Sequence, residues 1–172
     1  MENIDQLRAY AIETGLRGFV AGDLKVTDVE SMSWSGDSIH LQIVMQQLAD
    51  GDSISDTIGI YSPEGIVVSK GYVTHDPIRE ESTISQLATH PKLQSIGLGS
   101  RLMTAIEARV LRRNINKALL AVEQENPRAR KLYERLGCSY IKSGSDSWEA
   151  IDRQGNSYTH KTTVDWLSKN LK

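Results

Sequence analysis

LATHPKLQSIGLGSRLMTAIEARVLRRN occupies residues 87–114, and the fold turns on how it is read. It begins as the end of a run, Ser82–Thr89, that reads as a strand. His90-Pro91 breaks the run, and two glycines, Gly97 and Gly99, follow within a short loop. Leu98, Leu102, Ala105, Ile106 and Val110 then recur at helical spacing, while Arg101, Glu107, Arg109, Arg112 and Arg113 fall on other sides. A strand, a glycine loop and a helix start in succession present free backbone N–H groups and the positive end of a helix dipole, which together make an anion site. Two phosphate-binding patterns do not fit. A triphosphatase loop needs Lys-Ser/Thr after its last glycine, and here Ser100-Arg101 follow. A dinucleotide fold carries GxGxxG near the start of a βαβ unit, and here GxG alone stands late in the chain. A plain helix-entry turn remains an alternative for this loop taken alone.

Downstream, Asn114 stands where a helix turns left-handed and stops. Ala118–Val122 is a buried strand, so a strand follows the helix. Next comes ENPRARKLYERLG, residues 125–137: Asn126 is an N-cap, Pro127 takes the first helical position, and Gly137 marks the exit. Ala129, Leu132, Tyr133 and Leu136 line one face of that helix. Trp148–Ile151, a turn at DRQGN (152–156) and Ser157–Val164 predict a closing hairpin.

Upstream, Ile4, Leu7 and Ala11 make a short helical stripe ending near Gly15, and Phe19–Leu24 reads as a strand. Thr27 and Glu30 have the spacing of a capping box that opens a helix toward Trp34. From Ser38, Leu41, Val44, Met45 and Leu48 predict a core-facing helix that DGDS (50–53) ends. Thr57–Tyr61, the turn SPEG and Ile66–Thr74 form a hairpin, and a polar break at HDPIRE leads back to Ser82. The fold class is α/β, a mixed central sheet flanked by helices, with residues 1–172 in one domain and no internal repeat.

No apolar run approaches the roughly 20 residues of a membrane span, and MENIDQLRAY lacks the basic-then-apolar order of a signal peptide, so the expected address is cytoplasmic with no membrane partner. A net charge of −2 argues against a nucleic-acid partner. The charge is uneven, however. Ten Lys or Arg face four Glu between His90 and Cys138, which leaves ten basic and eighteen acidic residues elsewhere. Solvated helix faces account for many of these cations, and their clustering around the glycines suits an anionic ligand. The single cysteine, Cys138, has no partner for a disulfide or a zinc site and reads as buried packing. The four histidines show no metal spacing, so no metal is expected.

The combination of LATHPKLQSIGLGSRLM with LLAVEQENPRARKLYERLGC resembles the acetyl-CoA-binding half of the GNAT superfamily of N-acetyltransferases. The resemblance covers residues 82–141. It rests on Gln94, Gly97 and Gly99, and on Asn126, Ala129, Leu132, Tyr133 and Gly137. Cys138 departs from the pattern, standing where an aromatic is frequent, and residues 1–17 form an extra N-terminal helix ahead of the usual first strand. The resemblance implies a GNAT-type fold in which two splayed parallel strands form the coenzyme A cleft. The pyrophosphate would lie on the amides of Gln94, Ser95, Ile96, Gly97, Leu98, Gly99 and Ser100, where glycine leaves room for its approach. The pantetheine arm would pair with backbone near Leu87, Ala88 and Thr89. Asn126, Ala129 and Tyr133 would complete the cofactor contacts, Asn126 also being a helix cap.

Acetyl transfer to an amine sets three tasks. A backbone N–H, that of Ala88, would stabilise the oxyanion. Tyr133, at the family's general-acid position, would protonate the leaving thiolate, although a tyrosine on an apolar helix face is also core material. Glu81, with Glu80 and His75 behind it, is the candidate base for the ammonium, and a solvated strand-edge charge is its plainer role. The acidic remainder of the chain suggests a cationic acceptor: a polyamine, an aminoglycoside, an amino-acid derivative or a peptide N-terminus, with Trp34, Trp148 and Tyr158 lining its pocket or packing in the core. A homodimer is the family's common state. The rival readings are a non-catalytic acetyl-CoA or coenzyme A binding module and a nucleotide-binding protein.

Overall fold

The alternating residues from 55 to 89 fold as an antiparallel meander of β2 (Ser55–Tyr61), β3 (Val67–Asp76) and β4 (Glu81–Thr89). The computed structural model describes residues 3–172. β1 (Val20–Asp23) pairs antiparallel with β2 at one edge. Beyond β4 the chain crosses through helix α3 (Leu98–Arg112) to β5 (Lys117–Glu123), which lies parallel to β4. Helix α4 (Pro127–Arg135) leads to a long antiparallel hairpin, β6 (Ser139–Ile151) and β7 (Ser157–Asn170). β7 inserts beside β5, giving one sheet in the order β1-β2-β3-β4-β5-β7-β6.

Helices cover both faces. On one, α3 and α1 (Ile4–Thr14) pack into the larger core. Leu98, Leu102, Ile106 and Val110 of α3 are each at most 1% exposed. Burial at about 1.5–3 kcal/mol per large side chain outweighs the unfavourable nucleation of an isolated helix. On the other face, α2 (Ser38–Asp50) sets Val44 against Leu24, Val29, Met32 and Val67. Asn3 caps α1, Asp37 caps α2 by accepting from the His40 amide, and Gly15 and Gly51 end these helices left-handed.

Two local expectations change. The segment after Leu24 is a 3-10 turn, Val26–Ser31, and its box joins Lys25 and Asp28 rather than Thr27 and Glu30, because the Asp28 carboxylate accepts from the Lys25 amide at 2.8 Å. The closing hairpin is also far longer than Trp148–Val164. β6 starts at Ser139 and β7 runs on to Asn170, with Val164 and Leu167 buried against β5.

β4 carries the feature that shapes the site. Tyr72 pairs with Ser85 and Lys70 with Ala88, so Gly71 alone faces Gln86 and Leu87, a bulge that puts Gln86 at φ +53°. A Cβ on Gly71 would sit 2.7 Å from Ile106 Cδ1 and 2.8 Å from Leu87 Cδ2. Glycine is therefore what lets the bulge close under α3.

Candidate active site

β4 and β5 are hydrogen-bonded in register only from Glu81–Lys117 to Ile84–Leu120. Beyond the bulge they diverge, and the edge of β4 from Ser85 to Thr89 that turns away from β3 has no strand partner. β3 still holds this segment from the other side: Ser69 Oγ donates to the Ala88 carbonyl at 2.9 Å, and the His90 amide donates to the Val68 carbonyl. The resulting cleft is about 850 Å³. Leu87, Ala88 and Thr89 line one wall, with Asn126, Ala129 and Tyr133 opposite and Gln94, Ser95, Gly97, Gly99 and Ser100 at one end. Ile96 and Leu98 are not in the lining; Leu98 is 1% exposed and belongs to the core.

The glycine loop owes its shape to backbone conformation. A 3-10 turn at Pro91–Leu93 ends at Gln94, Ser95 adopts φ +67° and Gly97 φ +100°, and Gly97 is the N-cap of α3 with no side chain to occupy the helix start. The amides of the first α3 turn therefore have no side-chain cap at the cleft end. The two glycines serve different ends. Gly97 supplies a left-handed conformation, whereas Gly99 permits close packing, since a Cβ there would lie 3.1 Å from Leu132 Cδ2 of α4.

Long-range contacts that local sequence spacing does not reveal brace the loop. Arg8 of α1 donates to the carbonyls of Lys92 (2.7 Å) and Gln94 (3.0 Å), and Arg101 donates to those of Leu16 and Phe19, both at 2.7 Å. The extra N-terminal helix is thus a clamp on the loop. From α4, Arg128 donates to Gln94 Oε1 at 2.8 Å and to Ser95 Oγ. Lys131 and Arg135 also line the cleft, whose wall includes no carboxylate. Asn126 acts as the cap expected of it, accepting from the Ala129 amide at 3.1 Å.

Tyr133 is 8% exposed. Burial pushes its phenol up to about 12, with a smaller contribution from Cys138, so the group stays protonated through the neutral range. Cys138 is buried beside it, as packing requires. Trp34 also lines the cleft, beside His90 with ring centroids 5.7 Å apart.

Glu81 is not brought to this cleft. It lies at the opposite end of β4, seven residues from Ala88 or about 20 Å at strand rise, and it accepts from Lys117 Nζ at 2.8 Å. Glu80 sits in the turn before the strand at φ +54°. His75 is 3% exposed and is held between Ser82 Oγ and Asp56 Oδ2, each at 2.8 Å. Their strand-end position looked favourable in sequence because it precedes the acetyl-site strand. The direction of β4 takes it to the wrong end. Among the described residues no cluster of metal-binding side chains occurs, and no helix is long and apolar enough to cross a membrane.

Comparison with known proteins follows the same lines. Residues 64–138 match the Acetyltransferase (GNAT) family. A curated relative, the [Ribosomal protein bS18]-alanine N-acetyltransferase of Haemophilus ducreyi, is 36% identical over 62 residues, a match covering 36% of this chain and 43% of the relative. Among solved structures, the ribosomal-protein-S18-alanine N-acetyltransferase from Escherichia coli superposes with a TM-score of 0.69 at 15% identity, over 90% of this chain and 94% of that one. A probable acetyltransferase from Staphylococcus epidermidis gives 0.70 at 10% identity, over 90% and 99%. A chimeric spermidine N-acetyltransferase from Vibrio cholerae gives 0.69 at 14% identity, over 89% and 95%. The splayed parallel strands, the glycine loop and this matched segment are one and the same part of the molecule, and it is this part that is similar to the GNAT acetyltransferases.

Proposed function

We propose that this chain is an N-acetyltransferase that passes the acetyl group of acetyl-CoA to a primary amine of a small molecule or a peptide. One observation carries the reading: the unpaired edge of β4, the uncapped α3 start and the Tyr133 phenol all open into a single cleft. The residues fit acetyl-CoA. The α3 amides with Arg128, Lys131 and Arg135 suit its phosphates, and the free edge of Leu87–Thr89 suits the amides of its pantetheine arm. Bound there, acetyl-CoA supplies an acyl group on a good thiolate leaving group. The Ala88 amide would donate to the carbonyl oxygen as negative charge develops, and Tyr133 would hand its proton to the departing sulfur. The similar proteins named above act, by their names, on an alanine of ribosomal protein S18 and on spermidine, so both acceptor classes belong in the test.

Isothermal titration with coenzyme A and a thiol-release assay over a panel of amines test the proposal. The panel holds spermidine, an aminoglycoside, free amino acids and a peptide with an N-terminal alanine. Micromolar binding with turnover of one class is expected. Binding without turnover of any class would replace it with a non-catalytic coenzyme A module. Binding of ATP that survives competition by coenzyme A would replace it with a nucleotide-binding protein.

A further inference from the structure

Glu123 closes β5 at the carboxyl end of the parallel pair. Ala118, Leu120 and Val122 alternate into the core shared with α3, so Glu123 projects from the opposite face, the one that α2 covers. Counting on from Ile84–Leu120 and allowing for the one-residue bulge, Glu123 stands level with Ala88 across the splay. Its Oε1 lies 3.0 Å from His160 Nε2 of β7, and both side chains are 35% exposed. The His160 ring lies between Trp148 and Tyr158, with centroids at 4.6 and 6.4 Å. Register puts all four on one face, since Trp148 opposes His160 and Ala150 opposes Tyr158. The hairpin tip is anchored beneath α2, where the Ile151 amide donates to Asp37 Oδ2 at 2.8 Å. Neither Glu123 nor His160 lines the coenzyme A cleft.

We infer that Glu123 and His160 form the proton acceptor for the incoming amine, with Trp148 and Tyr158 as the wall that receives its ammonium; this rests on the acetyltransferase reading above. An exposed carboxylate beside two aromatic faces attracts a cation. An imidazole whose Nε2–H is donated to Glu123 keeps Nδ1 free to accept a proton. The ammonium gives one proton to His160, which releases it to solvent. The neutral nitrogen then forms the C–N bond as the C–S bond breaks. The second N–H proton passes to His160, and the sulfur takes the Tyr133 hydroxyl proton, which the phenolate regains from solvent. The other ionisable side chains on that face of the hairpin and on the helix above it are Lys142, Asp146, Tyr158, Asp37, His40 and Asp50.

The test uses 1,4-diaminobutane as probe with the full chain, and His160→Gln and Glu123→Gln as variants. Coenzyme A affinity is expected to stay within twofold of the parent, and kcat/KM for the diamine to fall about 100-fold or more at pH 7. The deficit should narrow toward tenfold or less by about pH 9.5, because the neutral fraction of an amine of pKa near 10 rises tenfold per pH unit without help from a base. In the coenzyme A complex, saturating diamine should shift the His160 ring resonances. A deficit independent of pH, a loss of coenzyme A affinity, or unmoved His160 signals would overturn the assignment. Absence of turnover in the parent chain with every amine would instead remove the acetyltransferase reading on which it stands.

Discussion

Replacing Tyr133 with Phe separates chemistry from packing at the centre of the cleft. The ring is 8% exposed in the core formed with α3, and the forces that move its pKa are burial and the charge of Cys138, with no hydrogen bond among them. Tyr133→Phe keeps the ring and its contacts and removes a hydroxyl that no protein group satisfies. Stability should change by less than about 1 kcal/mol, and coenzyme A affinity should hold. Loss of a general acid should cut kcat by about 10²–10⁴, or roughly 3–5 kcal/mol of barrier. Burial raises the phenol to about 12, so the parent enzyme keeps its acid protonated well past pH 10. Stopped-flow or steady-state thiol release from pH 6.5 to 10.5, with calorimetric coenzyme A binding and thermal melts on both proteins, provides the measurement. A kcat within threefold of the parent would reduce Tyr133 to packing. An alkaline limb near pH 10 that vanishes in the variant would refute the argument that burial keeps the phenol protonated.

Three further outcomes follow from particular residues. Gly97→Ala forces a side chain to φ +100° at the start of α3 and should lower stability by about 1–2 kcal/mol while weakening coenzyme A binding, read by denaturant melts and titration; unchanged affinity would count against the loop as its site. Asp56→Ala strips the shared acceptor from His75, Arg109 and Arg113, a cluster at 11% exposure on the carboxylate side, and should cost about 3 kcal/mol. Burial would raise the Asp56 pKa, but hydrogen bonds from His75 and Arg109 and the arginine charges hold it below the usual carboxylate value. Its contribution is therefore present above about pH 4 and lost as the pH falls through the lowered pKa; a parent melt insensitive to pH between 2 and 5 would contradict this. Lys70 is 0% exposed, its ammonium 2.7 Å from His40 Nε2, and burial lowers it to about 8. The unfolded chain binds the extra proton between about pH 8 and 10.5, so parent stability should rise across that window. Lys70→Met should flatten the rise and leave the protein at least as stable at pH 7; a loss above about 2 kcal/mol would show the cation to be stabilising.

What local sequence could reveal was the glycine-loop half of the cleft. Gly97 in left-handed backbone, Asn126 as a cap, Pro127 at the first helical turn and Asn114 at φ +58° are all decided within a few residues of chain. The braces were not legible, because Arg8 reaches carbonyls more than eighty residues away and Arg101 reaches back as far. Nor was the length of β6. KSGSDS alternates no apolar residue because most of the strand is exposed on both faces, and it is held mainly by pairing with β7. Glu81 stood next to the right strand in sequence, but strand polarity placed it at the far end.

That polarity also explains why the cleft is rigid. β5 keeps β7 along its whole length, from Lys117–Asn170 to Glu123–Val164, and β4 keeps β3 as far as Thr89. Each wall is therefore held from outside while the pair loses only its inner hydrogen bonds after Ile84–Leu120. The backbone groups left facing one another cannot pair across the gap, and leaving them dry would cost about 1–3 kcal/mol each. They are met by water or by a ligand that carries amides of its own. Such a divergence suits an extended, amide-bearing arm between the strands, and the α3 amides without a side-chain cap stand at one end of it. The cleft runs from those amides past Ala88 and Tyr133 toward the carboxyl ends of the two parallel strands.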